Sequence, residues 1–147
     1  MSFNRIYDIA GSAMRAQTVR LDTVASNLAN VNSAAGSEEA AFRAIKPVFS
    51  TLYQRVQEAE GLGAAQVQIA GIVQSDRQVE KRLEPTNPLA DGDGFVYYSN
   101  VNAVEEMADM MSASRGFETS VEVINRINSM QQGLLRLGQG EIGRAHV

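Results

Sequence analysis

From Phe3 onward the apolar positions fall at Phe3, Tyr7, Ala10, Met14, Leu21, Val24, Leu28 and Val31, with Gln17 the one polar member of the series. The steps alternate four and three, a heptad seam held for about four repeats. Arg5, Arg15, Arg20 and Asp22 lie off the seam. The pattern predicts one amphipathic helix from Ser2 to Ala29, roughly 40 Å long. Its strict spacing favours a helical partner over a place on the surface of a globular core.

A second helix is predicted over Asn100 to Leu137, roughly 50 Å long. Asn102 can cap its start, with Glu105 three residues on, the spacing of a capping box. Glu105, Glu106 and Asp109 place negative charge in the first turns, and Arg136 and Gly138 suit the closing end. Met107, Met110, Met111, Ser114, Phe117 and Val121 stay on one side. Val121, Ile124, Ile127 and Met130 then step by three, and each such step falls about 60° short of a full turn. The apolar stripe therefore winds around the helix and ends at Leu134, Leu135 and Leu137. No single partner covers such a stripe, so several neighbours are expected, and for one short chain these are other subunits. Gly11-Ser12-Ala13 on the first helix and Ser112-Ala113-Ser114 with Gly116 on the second would let two backbones approach closely. Glycine costs about 1 kcal/mol in a helix interior, which gives Gly11, Gly116 and Gly133 a packing reason.

Between the helices the pattern changes. Asn27 and Asn30 stand near the end of the first helix, and Asn32, Ser33 and Gly36 terminate it. Residues 33–40 form a loop. Phe42 to Leu52 is a strand, with Pro47 placing it at an edge or splitting it. Gln54 to Glu60 is too short and polar to assign, and Gly61 and Gly63 break the chain. Val67, Ile69 and Ile72-Val73 form a strand with a bulge at Gly71. Val79 to Leu83 and Phe95 to Tyr98 are further strands, separated by turns at Pro85–Pro88 and Asp91–Gly94. The expected fold is mainly α with a small β-rich insert: two long terminal helices form a coiled-coil domain, with a β domain between them. The expected units are a helix over 1–32, the insert over 33–99, a second helix over 100–138 packing on the first, and a tail over 139–147.

Composition narrows the function. The 147 residues are 6% aromatic with no Trp, so the core is aliphatic, built with Met and Leu. A net charge of −4 argues against nucleic acid as a partner. No cysteine is present, which removes disulfide staples and thiolate metal sites. Met1 to Asp8 has no apolar signal core, and no run is long enough to span a bilayer. A cleaved Sec signal is not expected. His146 is the only histidine, which supports neither a His-dependent triad nor a two-His metal site. Asp91-Gly-Asp-Gly94 fails the calcium-loop pattern, because its glycine falls at the fourth position and Asn102 stands where a bidentate Glu is needed. Gly61-Leu-Gly63 lacks the rest of a phosphate cradle. Glu38-Glu39 and Glu105-Glu106 are adjacent pairs that point to different sides. No catalytic, cofactor-binding or metal residue is assigned, and no enzyme is expected.

The stretch Ala25-Ser26-Asn27-Leu28-Ala29-Asn30-Val31-Asn32 resembles the N-terminal motif of the bacterial flagellar axial proteins. Several further stretches narrow the resemblance to the rod proteins of that family. They are Gly11 to Gln17 with Arg20-Leu21, Glu84-Pro85 through Pro88-Leu89-Ala90-Asp91, and Gly94-Phe95-Val96-Tyr97. The most specific is Asn100-Val101-Asn102 running into Glu105 to Met111 and Ala113-Ser114-Arg115. Gly36 to Phe42 departs from the shorter, glycine-led turn of many relatives, and Gly140 to Val147 lies outside the pattern. The resemblance implies a subunit of the basal-body rod, exported through the flagellar type III apparatus without a cleaved signal. It implies assembly in the periplasm with itself and other rod proteins, between the motor (MS) ring and distal rod neighbours, into a helical tube that transmits torque and conducts exported subunits. Neither nucleic acid nor a small-molecule substrate is implied. Ser26, Asn27, Asn30, Asn32, Asn100 and Asn102 are the motif positions, with Asn27 and Asn30 expected to fix the turn after the first helix. The subunit and helix-packing surface is expected to use Phe3, Tyr7, Gly11, Met14, Leu21, Val24, Leu28, Met107, Met111, Phe117, Val121, Ile124, Ile127, Met130 and Leu134. Two alternatives stand beside this reading. One is a soluble helical adaptor or secretion chaperone forming a closed dimer. The other is a small enzyme using carboxylates of the insert, for which the sequence offers no facing pair.

Overall fold

The computed structural model describes residues 2–53 and 65–145. The assignments made for Gln54 to Glu60, Gly61, Gly63 and His146 lie outside the described residues. Among the described residues two helices, α1 (Phe3–Ala29) and α2 (Ala103–Ala145), enclose five strands in sequence: β1 (Ala34–Ala35), β2 (Ile45–Tyr53), β3 (Ala65–Gln74), β4 (Glu80–Leu83) and β5 (Phe95–Tyr98). The strands form two small antiparallel sheets, a β2–β3 hairpin and a three-stranded sheet in the order β1-β5-β4. Among the described residues no helix is long and apolar enough to cross a membrane.

The helices lie antiparallel. The Tyr7 hydroxyl donates to Gln131 Oε1 at 3.2 Å, the Gln17 amide rests on Gly116, and Arg20 pairs with Asp109 at 2.9 Å. Along α2, half-buried Ser114, Phe117 and Val121 flank a line of positions with little exposure: Glu106, Asp109, Ala113, Gly116, Ser120, Ile124, Ile127 and Gln131. They advance by threes and fours, so the covered line is straight, as expected where one straight helix lies alongside another. Its middle, Ala113, Gly116 and Ser120, is made of small residues. The methionine series is not part of it: Met107, Met110 and Met111 are 52%, 40% and 58% exposed.

α2 does not stop at Gly138. It continues through Gly138, Gly140 and Gly143 to Ala145, 43 residues in all, so the described part of the expected tail is helix. A C′ glycine ends a helix only when it turns left-handed, and Gly94 is the one described glycine with positive φ. The intervening Gln139, Glu141, Ile142 and Arg144 tolerate helix, and each glycine costs only about 1 kcal/mol. The other end of α2 behaves as expected in part. Asn102 Oδ1 accepts the amides of Val104 and Glu105 at 3.1 and 3.3 Å. Glu105 does not close the box; its carboxylate pairs with Arg77 at 2.8 Å instead.

A second face of α1 is covered by the β2–β3 hairpin. Ser12, Ala16, Thr23 and Asn27 are buried and recur at helical spacing on that face. Ser12 Oγ accepts the Val67 amide at 3.3 Å. β2 runs unbroken through Pro47, which pairs with Ile72. Both strands of a two-stranded sheet have a free edge, so the missing N–H of proline is tolerated. The register slips between Val48↔Gly71 and Phe49↔Ile69, leaving Ala70 as the extra residue, one position before the expected bulge.

The loop expected over 33–40 contains β1, in which Ala34 and Ala35 pair with Tyr98 and Tyr97. Pairing with β5, not any local preference of alanine, makes this a strand. The three-stranded sheet is fastened by side chains as well as backbone. Lys81 Nζ lies 4.0 Å from the Phe95 ring centroid and Arg82 lies 4.5 Å from that of Tyr98. Val96 at its centre is fully buried.

Candidate assembly interface

Two asparagines join the helices to the β region. Asn27 is 1% exposed. Its Nδ2 donates to the Ile45 carbonyl and its Oδ1 accepts the Ile45 amide, both at 2.9 Å. The side-chain amide thus takes the place of a neighbouring strand at the first residue of β2. Asn100, just before α2, accepts the Ala44 amide at 2.6 Å and donates to the carbonyls of Ser75 and Arg77 at 3.3 and 2.8 Å. Asn30 does serve the end of α1, donating to the Ser26 carbonyl at 2.9 Å and accepting Ser33 Oγ at 3.1 Å. Asn27 does not serve that turn, contrary to expectation; its amide belongs to β2. Ser26 and Asn100 are half-buried, while Asn32 and Asn102 are exposed.

The Asp91–Gly94 turn is closed by its own groups. Asp91 Oδ1 accepts the amides of Asp93 and Phe95 at 3.0 and 2.8 Å, and Oδ2 accepts the Tyr97 hydroxyl at 3.1 Å. These bonds, the Phe95 amide first, hold the Asp91 carboxyl below its usual pKa. Gly94 takes φ +83, and a side chain there would also press on Pro85 at 3.3 Å. The Tyr98 hydroxyl donates to Glu84, which raises its pKa. The Arg77 guanidinium holds Glu105 below the usual carboxylate range.

The expected packing residues divide into three groups. Val24 and Ile127 are buried within the chain. Phe3, Tyr7, Gly11, Met14, Leu21, Leu28, Phe117, Val121 and Ile124 are half-buried. Met107, Met111, Met130 and Leu134 are exposed. Of the three helix glycines expected to pack, Gly11, Gly116 and Gly133, Gly116 alone meets the other helix: a Cβ there would stand 2.9 Å from Gln17 Nε2. Gly11 is near nothing but Arg15 of its own helix, and a Cβ on Gly133 would meet nothing within 4 Å. Ser12 and Ala113 fall in the small-residue clusters expected to permit close approach, and the sequence pattern missed Ala16 and Thr23. Their small or polar side chains carry no apolar periodicity, and only the helical spacing of small residues hinted at a close contact.

Exposed apolar side chains concentrate on α2. Val104, Met107, Met110, Met111, Val123, Met130, Leu134, Leu135, Leu137 and Ile142 all remain uncovered. Phe3, near the start of α1, borders Gln131, Leu134 and Leu135. Beyond Leu135, α2 extends with no part of α1 alongside. The hairpin adds exposed Val48, Phe49, Leu52, Ile72 and Val73.

Comparison with known proteins bears on what such a surface is for. Residues 8–36 match the family model described as flagella basal body rod protein, and residues 93–137 match that of the flagellar basal body rod FlgEFG protein C-terminal region. The chain is 42% identical over 139 residues to the flagellar basal-body rod protein FlgC of Salmonella typhimurium, spanning 95% of this chain and 100% of the relative. The FlgC of Yersinia enterocolitica is 40% identical, with the same coverage. That of Bacillus subtilis is 27% identical over 90% of this chain and 95% of its own. The two matched family regions hold the α1 motif with Asn27 and the α2 seam with Gly116, and on identity and coverage together the chain belongs to the FlgC family of flagellar basal-body rod proteins.

Proposed function

We propose that this chain is a structural, non-enzymatic subunit of the bacterial flagellar basal-body rod, which assembles with copies of itself and with other rod proteins into a helical tube. The observation that carries the reading is the run of uncovered apolar side chains on α2. α1 covers one straight line of that helix, and the methionines and terminal leucines lie off it or beyond it. Exposed apolar patches of this extent mark interaction surfaces. The antiparallel α1–α2 pair serves as the coiled-coil unit of the tube wall, and the β region lies outside it. Contacts between unlike faces that do not close into a ring generate an open helical assembly. Such a wall transmits torque and leaves a lumen for exported subunits. The MS ring and distal rod proteins are its axial neighbours, and the type III export apparatus delivers it to the periplasm without a cleaved signal. The closed-dimer adaptor finds no support, since the matched relatives are named as rod proteins.

Leu135→Asp tests this. Leu135 is 68% exposed, so the isolated protein should keep its stability while incorporation into basal bodies and motility are lost. Normal rods containing the variant would overturn the proposal.

A further inference from the structure

Four of the six methionines lie on α2, and all four are exposed: Met107, Met110, Met111 and Met130. The first three fall within little more than one turn. Met110 and Met111 stand three and four residues after Met107, so the three share one side of the helix. That side is not the one α1 covers, since the covered line runs through Glu106, Asp109, Ala113 and Gly116. A shallow groove of about 360 Å³ lies beside Met111, lined by Ala108, Ser112 and Arg115. Met14, on α1, is half-buried and serves as the contrast.

An exposed thioether meets a peroxide directly, whereas a covered one waits for the fold to open. The sulfur lone pair attacks one oxygen of hydrogen peroxide and the O–O bond breaks. That oxygen stays on sulfur as a sulfoxide, and the other leaves as water. The sulfur is oxidised by two electrons and the peroxide is reduced by the same two. The product is a polar side chain where an apolar one stood. The groove beside Met111 has room for the added oxygen, and the Arg115 guanidinium lining it is a hydrogen-bond donor.

We propose that Met107, Met110 and Met111 form an oxidation site, with a peroxide as the oxidant, whose state decides whether a subunit enters the rod. This rests on reading the uncovered side of α2 as the rod interface. Oxidised, the patch presents sulfoxide dipoles where a neighbour offers apolar surface, and burying such groups unpaired is costly. None of the three lies on the covered line, so the α1–α2 contact is kept and the oxidised subunit stays folded while being refused. Enzymatic reduction of the sulfoxide returns the apolar patch. Inside the wall the same methionines are shielded. The site therefore acts on subunits before incorporation.

The test exposes the full-length protein to dilute hydrogen peroxide and follows its peptides by mass spectrometry. Met107 and Met111 should each gain one oxygen at least about threefold faster than Met14, with the thermal midpoint kept within about 2 °C. In cells, Met107→Gln combined with Met111→Gln imitates the polarity of the sulfoxide and should lower incorporation into basal bodies about tenfold or more. Replacing Met107, Met110 and Met111 together by Leu keeps the patch apolar and removes the sulfur. That variant should still be incorporated at a peroxide dose that halts the unmodified protein. Oxidation of Met14 as fast as the α2 methionines, unfolding on oxidation, normal incorporation of the glutamine variant, or an unprotected leucine variant each overturns the inference. Leu135→Asp separates the two readings. If it is refused while the glutamine variant enters, the methionine site alone fails; if both enter, the rod interface fails with it.

Discussion

Asn27, near the end of α1, and Asn100, just before α2, grip consecutive peptide groups. Asn27 holds both polar groups of Ile45, and Asn100 holds the amide of Ala44, whose carbonyl in turn accepts the Ser75 amide at 2.8 Å. The root of the hairpin is thus pinned by side chains from the end of α1 and the entry to α2. These are positions in the two blocks that most resemble rod proteins. The motif asparagines tie the ends of the chain to its middle.

Asn27→Ala should therefore detach the hairpin without dissolving α1. It leaves the amide and carbonyl of Ile45 without partners at a buried site, at a cost of about 2–4 kcal/mol. Hydrogen exchange should show lost protection across β2 and β3 while the first half of α1 is unchanged. Retained protection at Ile45 would refute the pinning role.

The crossing of the helices at Gln17 and Gly116 makes a contrasting prediction. Gln17 Oε1 is buried without a partner, and its amide leans on Gly116. Gln17→Met removes an unsatisfied acceptor and should leave stability equal or raise it by up to about 1 kcal/mol. Gly116→Ala meets only the movable end of Gln17, so its change should stay within about 1 kcal/mol. Gly116→Leu must push the helices apart and should cost about 1–3 kcal/mol. Thermal midpoints of the three variants check this ranking.

Acid should loosen the β4–β5 turn. The pKa of Asp91 is lowered in the fold, chiefly by the Phe95 amide. A lowered carboxyl contributes stability that is complete above its unfolded value, near ~3.9, and lost as pH falls through the lower folded value. Asp91→Asn should flatten that acid dependence and lose the Tyr97 hydroxyl contact. Tyrosine fluorescence against pH reads both effects.

The far end of α2 should be the least protected helix in the isolated protein. Residues after Leu135 have no α1 beside them, and Gly138, Gly140 and Gly143 weaken them further. Amide exchange there should be fast in the monomer and slow in assembled rods. Equal exchange in both states would remove this segment from the interface.

These outcomes show what a sequence reveals and what it hides. The heptad seam of α1 and the strand at Phe95–Tyr98 were legible because apolar periodicity encodes them directly. The covered line on α2 was legible only in part: Ala113 and Gly116 stood out as small residues suited to close approach, but Ser120 and the course of the line leave no hydropathy signal. The larger Met107 and Met111 drew attention to a surface that points away from α1. Asn27 could be singled out by its motif, but its partner could not, since Ile45 is brought to it only by the fold. Gly138 misled for a related reason: glycine permits a helix to end and does not compel it.

The unequal length of the two helices has a mechanical consequence. α1 has 27 residues and α2 has 43, or about 40 and 65 Å. Each molecule therefore projects a spar beyond its own body. In the proposed tube, such units would not meet end to end like bricks; successive tiers would overlap like shingles, with every joint spread along a lap. Twisting such a column would load the laps in shear over their whole length and leave no single plane at which it could part.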